Sequence, residues 1–134
     1  MNEPDIVWSP EVPFEQRFVE RDVPDQPGVY RILQSEPYPR YHGNTRILKI
    51  GKSEGSLRQE IANHFIRHTT ANRLARVRNR PGLQVSVVFA LVPQERVAEA
   101  EAELLRGFED EHWDLPVLNS QRGYARSADA HYRS

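Results

Sequence analysis

The chain reads as an α+β domain: a small three-stranded antiparallel sheet flanked by helices, in the order β-β-α-α-β-α. Three observations predict this. Short runs of Val, Ile and Leu, bounded by turn formers, stand at 28–34, 46–51 and 83–91, the pattern of strands. Leu57, Ile61 and Phe65 recur at i, i+4, i+8, which is one face of a helix. Residues 94–112 are rich in Ala, Glu and Leu, all strong helix formers. Strands and helices of this kind bury their apolar sides against one another in two or three layers.

Taken in order, residues 1–27 hold Pro4, Pro10, Pro13, Pro24 and Pro27 and read as an irregular arm, with room for a short helix or strand near Phe14 to Glu20. Trp8 and Phe14 are its candidate anchors. The first strand opens with Gly28-Val29-Tyr30. Residues 35–45 carry Ser, Pro, Gly and Asn and read as a connection. The second strand closes on Lys49-Ile50-Gly51. Ser56 and Gln59 have the spacing of a capping box at a helix start. A second short helix is expected at 69–79 with Leu74 and Val77 inward. Pro81-Gly82 is a turn, and 83–91 has the length and β-branched content of a buried strand. The long helix follows, then a loop through Pro116 to Asn119. The expected division is an arm at 1–27, one domain at 28–120 and a polar tail at 121–134.

The totals exclude several classes. A chain of 134 residues can bury a core without staples. It has no cysteine, so disulfides and thiolate zinc sites are ruled out. No apolar run is long enough to span a bilayer. The acidic N-terminus lacks the apolar core of a secretory signal, so a cytoplasmic location and no membrane partner are expected. The net charge of −1 is unevenly spread: residues 45–80 carry nine Lys/Arg against two Glu, and each flanking segment is net −4. A basic block in a neutral chain suits a polyanion.

The long helix holds one residue out of place. With Val97 at zero, Leu104, Leu105 and Phe108 fall at about 340°, 80° and 20° around the axis. Glu101 falls at about 40°, inside that stripe. A carboxylate on a core face is costly unless it is paired, hydrogen-bonded or metal-bound. Glu101 is therefore either a rim residue satisfied by Arg or backbone N–H, or a metal ligand.

Gly28-Val29-Tyr30, Lys49-Ile50-Gly51, Glu101 on the last core helix and Asn119 in the loop after it resemble, in that order, the GIY-YIG endonuclease superfamily in its KIG-type form. The resemblance spans most of 27–120. It implies a GIY-YIG-like fold and metal-assisted hydrolysis of phosphodiester bonds in DNA, or RNA. Tyr30 would position or deprotonate the attacking water. Lys49, in the second tyrosine's place, would add positive charge near a phosphate. Glu101 would hold one Mg²⁺ or Mn²⁺, and Gly28, Gly51 and Asn119 would support the site. His64 would donate to a phosphate or leaving group, unless it only pairs with Glu60. The family's catalytic arginine falls at Glu60, which cannot stabilise phosphoryl charge as an arginine does. Arg58 projects elsewhere, and Arg67 is a distant stand-in.

Lys49, Lys52, Arg67, Arg73, Arg76, Arg78 and Arg80 form a candidate nucleic-acid patch, with DNA the expected partner ahead of RNA. The same run also fits a plain solvated face. Gly51-Lys52-Ser53 lacks the P-loop's first glycine, since residue 46 is Arg46, and His64/His68 lack the Glu of a zinc-protease helix. Three functions stay open: a nuclease, which the motifs favour; a scaffold that binds nucleic acid without cutting, which Glu60 suggests; and a protein-interaction module. Oligomeric state is not readable from the sequence.

Overall fold

In the computed structural model, residues 6–65, 74–77 and 79–119 are described. A four-stranded antiparallel sheet carries the fold, with strands β1 (Val12–Pro13), β2 (Gly28–Pro39), β3 (Asn44–Ser53) and β4 (Val85–Leu91) in the order β1-β4-β2-β3. Helices α1 (Gln16–Asp22), α2 (Leu57–Ala62) and α4 (Val97–His112) surround it. A 3₁₀ turn, Asn63–Phe65, extends α2. Residues 74–77 are helical and form α3.

The expected α+β class holds, but the expected three strands and their order do not. The arm adds β1 and α1, making four strands. Val12 pairs with Val87 and Pro13 with Ser86. Pro13 has no N–H to donate, which an edge strand tolerates. Two residues are too few to show alternation, so nothing local marks them as a strand. The hairpin is also longer than its apolar runs. Residues 35–39, expected as a connection, continue β2, and Tyr38 pairs with Thr45. The turn itself is only 40–43, with Gly43 at φ 76°.

Each face of the sheet has its own core. On one, Val12, Phe14, Val19, Val23, Tyr30, Ile32, Leu48, Leu57, Ile61, Leu74 and Val87 pack together beneath α1, α2 and α3. On the other, Val29, Ile50 and Ala90 meet Val97, Ala100, Leu104 and Phe108 of α4.

One irregularity decides which side chains share a face. Ile32 pairs with Lys49 but Leu33 pairs with Ile47, so Leu48 is the extra residue of a β-bulge. Alternation stops there. Leu48 and Lys49 consequently both face the α2 side, with Gly51 following opposite Tyr30. Without the bulge, Lys49 would point toward α4.

The free edge of β3 is covered by the loop after α4. Leu118 N–H donates to Leu48 C=O at 2.9 Å. The Asn119 side chain accepts from Ile50 N–H and donates to Ile50 C=O, both at 2.8 Å. The amide thus stands in for a neighbouring strand.

Candidate active site

The site grows from two glycines. A Cβ on Gly51 would lie 2.4 Å from both Cζ and the hydroxyl of Tyr30. Only glycine leaves room for the ring across the β2–β3 ladder. At Gly28 a Cβ would lie 2.2 Å from Ala90 C=O and 2.7 Å from Leu57 Cδ1. Gly28 therefore lets α2 and β4 close on the start of β2. Tyr30, two residues on, is fully buried at 0% exposure.

α2 begins where its cap requires. Ser56 Oγ accepts from Gln59 N–H at 3.1 Å, the expected N-cap. Leu57 and Ile61 enter the core. That rotation aims Glu60 at Tyr30, whose hydroxyl donates to Glu60 Oε2 at 3.2 Å. It also turns Arg58 away: its Nε donates to Val23 C=O at 2.8 Å.

His64 lies one turn further on and is 1% exposed. Its Nδ1 is 3.1 Å from Glu60 C=O. A carbonyl only accepts, so this assigns the proton to Nδ1 and leaves Nε2 as an acceptor. The Lys49 ammonium donates to that Nε2 at 3.0 Å, and the Tyr30 hydroxyl stands 3.4 Å away. Phe14 and Tyr30 both meet the imidazole edge-on. The i, i+4 spacing of Glu60 and His64 is thus used for a bond between the imidazole and the Glu60 backbone.

Glu101 is half-buried on α4. Burial raises its carboxyl above the ordinary carboxylate value; Lys52 and then Lys49 pull it down, while Glu60 and Glu54 push it further up. Lys52 is itself 3.7 Å from Glu54. The Tyr30 phenol is held well above its usual range, first by burial, then by the charge and hydrogen bond of Glu60, then by Glu101. The Glu101 carboxyl is thus within electrostatic range of Tyr30, Lys49, Lys52, Glu54 and Glu60.

Among the described residues, no group of three or more His, Asp or Glu could hold a metal ion by itself. The donor set fits an ion that takes one carboxylate from the protein and the rest of its shell from water and phosphate, as Mg²⁺ does. Of the basic patch, Arg76 and Arg80 are exposed, whereas Arg67, Arg73 and Arg78 lie outside the described residues. The polar tail also lies outside them, and so does most of the helix expected at 69–79. No described helix is long and apolar enough to cross a membrane.

In the sequence Glu60 stands at the site only as the position of a missing arginine. Its bond to Tyr30 has no local signal, although the Leu57/Ile61 face fixes its direction. Phe14 was expected as an anchor, and its contact with His64 makes it a wall of the site as well.

No family model matches the chain, and no solved structure does. Among curated proteins, the chain is similar to the UvrABC system protein C of Aromatoleum aromaticum (strain DSM 19018 / LMG 30748 / EbN1), with 29% identity over 97 residues. The alignment covers 72% of this chain and 14% of that protein. The chain therefore spans about one-seventh of the relative's length.

Proposed function

We propose that this protein is a metal-dependent endonuclease that hydrolyses phosphodiester bonds in DNA through a GIY-YIG-type site. One observation carries the reading. Tyr30, Lys49, Glu60 and His64 gather on one face of the sheet: Lys49 donates to His64 Nε2 at 3.0 Å, and the Tyr30 hydroxyl, 3.4 Å from that nitrogen, donates to Glu60 at 3.2 Å. The partial similarity to the UvrABC system protein C supports a nuclease-related role on DNA.

In this reading Glu101 holds one Mg²⁺ or Mn²⁺, whose chemistry is Lewis-acid polarisation of a phosphoryl oxygen. Lys49, held by His64, places a positive charge toward the scissile phosphate. Lys52 and the exposed Arg76 and Arg80 track the phosphate backbone. The Tyr30–Glu60 corner faces the attacking water. Gly51 keeps Tyr30 in place, and Asn119 fixes the strand that carries Lys49.

The test is cleavage of duplex, branched and single-stranded DNA and of RNA, with Mg²⁺ or Mn²⁺. Wild type cuts at least one substrate, and Glu101→Ala does not. A wild-type protein that cuts none of them ends the proposal.

The Glu60 carboxylate, standing where the resemblance implies an arginine, favours a second reading: a scaffold that binds nucleic acid without cutting. Salt-dependent binding with no cleavage, weakened when Arg76 and Arg80 are neutralised, would select it.

A further inference from the structure

The Tyr30 hydroxyl is closed off. The residue has 0% exposure, and Glu60, His64 and Gly51 pack around its oxygen. A water molecule cannot reach that oxygen as the site stands. Glu60 is half-buried and keeps access to solvent, and one of its carboxylate oxygens already takes the Tyr30 proton in a hydrogen bond. A carboxylate can bond a second donor through its other oxygen.

We propose that Glu60 is the catalytic base of this site, taking the proton directly from the attacking water, and that Tyr30 is a positioning residue that holds the carboxylate by donating to Oε2. This assignment rests on the nuclease reading above. As the water oxygen bonds to phosphorus, its proton passes to Glu60, which becomes a carboxylic acid. The bond from phosphorus to the leaving oxygen breaks, and that oxygen takes a proton from solvent. Glu60 then returns its own proton to solvent.

His64 is the alternative acceptor. Its Nε2 already receives the Lys49 ammonium at 3.0 Å, and its Nδ1–H is committed to Glu60 C=O. A second proton there would set an imidazolium against an ammonium. Tyr30 as the base would need a phenolate, which burial and two neighbouring carboxylates oppose. The titratable groups gathered here are Tyr30 on β2, Lys49 and Lys52 on β3, Glu54 after it, His64 after α2 and Glu101 on α4.

The test ranks two near-isosteric variants by single-turnover cleavage across pH. Glu60→Gln still accepts from Tyr30 but cannot take a proton. It should lower kcat by about 100-fold or more with KM nearly unchanged, and abolish the acidic limb of the pH–rate profile. Tyr30→Phe should cost less, on the order of 10-fold, and keep that limb. A second readout needs neither metal nor substrate. Phenolate absorbance of the free protein, with the Tyr30→Phe curve subtracted, should show Tyr30 ionising at lower pH in Glu60→Gln than in wild type.

The assignment is overturned if wild type cuts while Tyr30→Phe abolishes cleavage and Glu60→Gln stays within about threefold. It is also overturned if the acidic limb survives in Glu60→Gln, or if the Tyr30 ionisation does not move. If wild type cuts nothing, the nuclease reading fails and this assignment falls with it, whatever the phenol titration shows.

Discussion

Under α4 the sheet buries Val29, Ile50, Ala90, Val97, Ala100, Leu104 and Phe108, a core of aliphatic and phenyl groups. Glu101 sits half-buried at its border. Beneath α1 and α2 the opposite face is packed as tightly, yet it encloses a tyrosine and a histidine that are 0% and 1% exposed. The second face can bury polar groups because each finds a partner there: Tyr30 with Glu60, His64 with Glu60 C=O, and Lys49 with His64. An unpartnered polar group in the same place would cost about 1–3 kcal/mol. The difference between the faces is one of construction. Two glycines and one bulge gather Tyr30, Lys49 and His64 on one face; under α4 the buried polar side chain His112 stands at the end of the helix instead, bonded to His42 C=O at 2.8 Å.

The strongest way to break that construction is at Gly28. A methyl there meets a backbone carbonyl at 2.2 Å, which cannot rotate away. Gly28→Ala should cost about 3 kcal/mol or more, above the usual range for overpacking, and lower the urea midpoint accordingly. An unchanged midpoint would show that the β2–β4 contact is loose. Gly51→Ala follows, at about 1–3 kcal/mol. Its methyl meets the Tyr30 ring rather than backbone, so part of the strain can be relieved by tilting the tyrosine. That tilt should break the bond to Glu60. A Gly51→Ala protein in which Tyr30 ionises as in wild type would contradict this account.

These residues also show how much of the fold and of the site is legible in the sequence. The apolar faces of α2 and α4 and the odd position of Glu101 are legible because they are patterns of period 3.6, and Gly28, Gly51 and the Ser56 cap because they are short local motifs. What stayed hidden depends on partners distant in sequence. β1 is a strand only because Val12 meets Val87. The hairpin runs to Pro39 only because Tyr38 meets Thr45. The Leu48 bulge appears only when two residues are counted against one across the ladder, and it alone puts Lys49 on Tyr30's side. Glu60 could be aimed at the site from its helix face, but not matched to a hydroxyl thirty residues earlier.

A smaller change sharpens the contrast from the α4 side. Glu101 binds its proton more tightly in the folded chain than a free carboxyl does, because it is partly desolvated. Its contribution to stability is therefore complete below the ordinary carboxylate value and lost as pH rises through the raised folded value. At neutral pH the ionised group costs stability. Glu101→Gln should then raise Tm by roughly 1–3 °C, while removing divalent-dependent cleavage. Mg²⁺ should raise the Tm of wild type and leave that of the variant unchanged. A variant less stable than wild type at neutral pH would mean that Lys52 and Lys49 outweigh the burial.

The smallest effect belongs to the far end of the sheet, where a polar cluster of Glu11, Arg46 and Ser86 spans the strands. Both Glu11 oxygens take bonds from Arg46 at 3.1 Å, and Ser86 Oγ adds one at 2.7 Å. The Arg46 bonds first, and then Ser86, hold the Glu11 carboxyl below its ordinary value. Here the sign is opposite to that of Glu101: the stabilisation is present above the unfolded value and lost as pH falls through the folded one. The groups are largely exposed, so solvent screens them, and Glu11→Gln should cost about 0.5 kcal/mol at neutral pH. That deficit should vanish near pH ~3, where wild type has lost the same charge. Urea titrations of both proteins at the two pH values test it. A deficit that persists in acid would assign the contribution of Glu11 to packing of β1 rather than to charge.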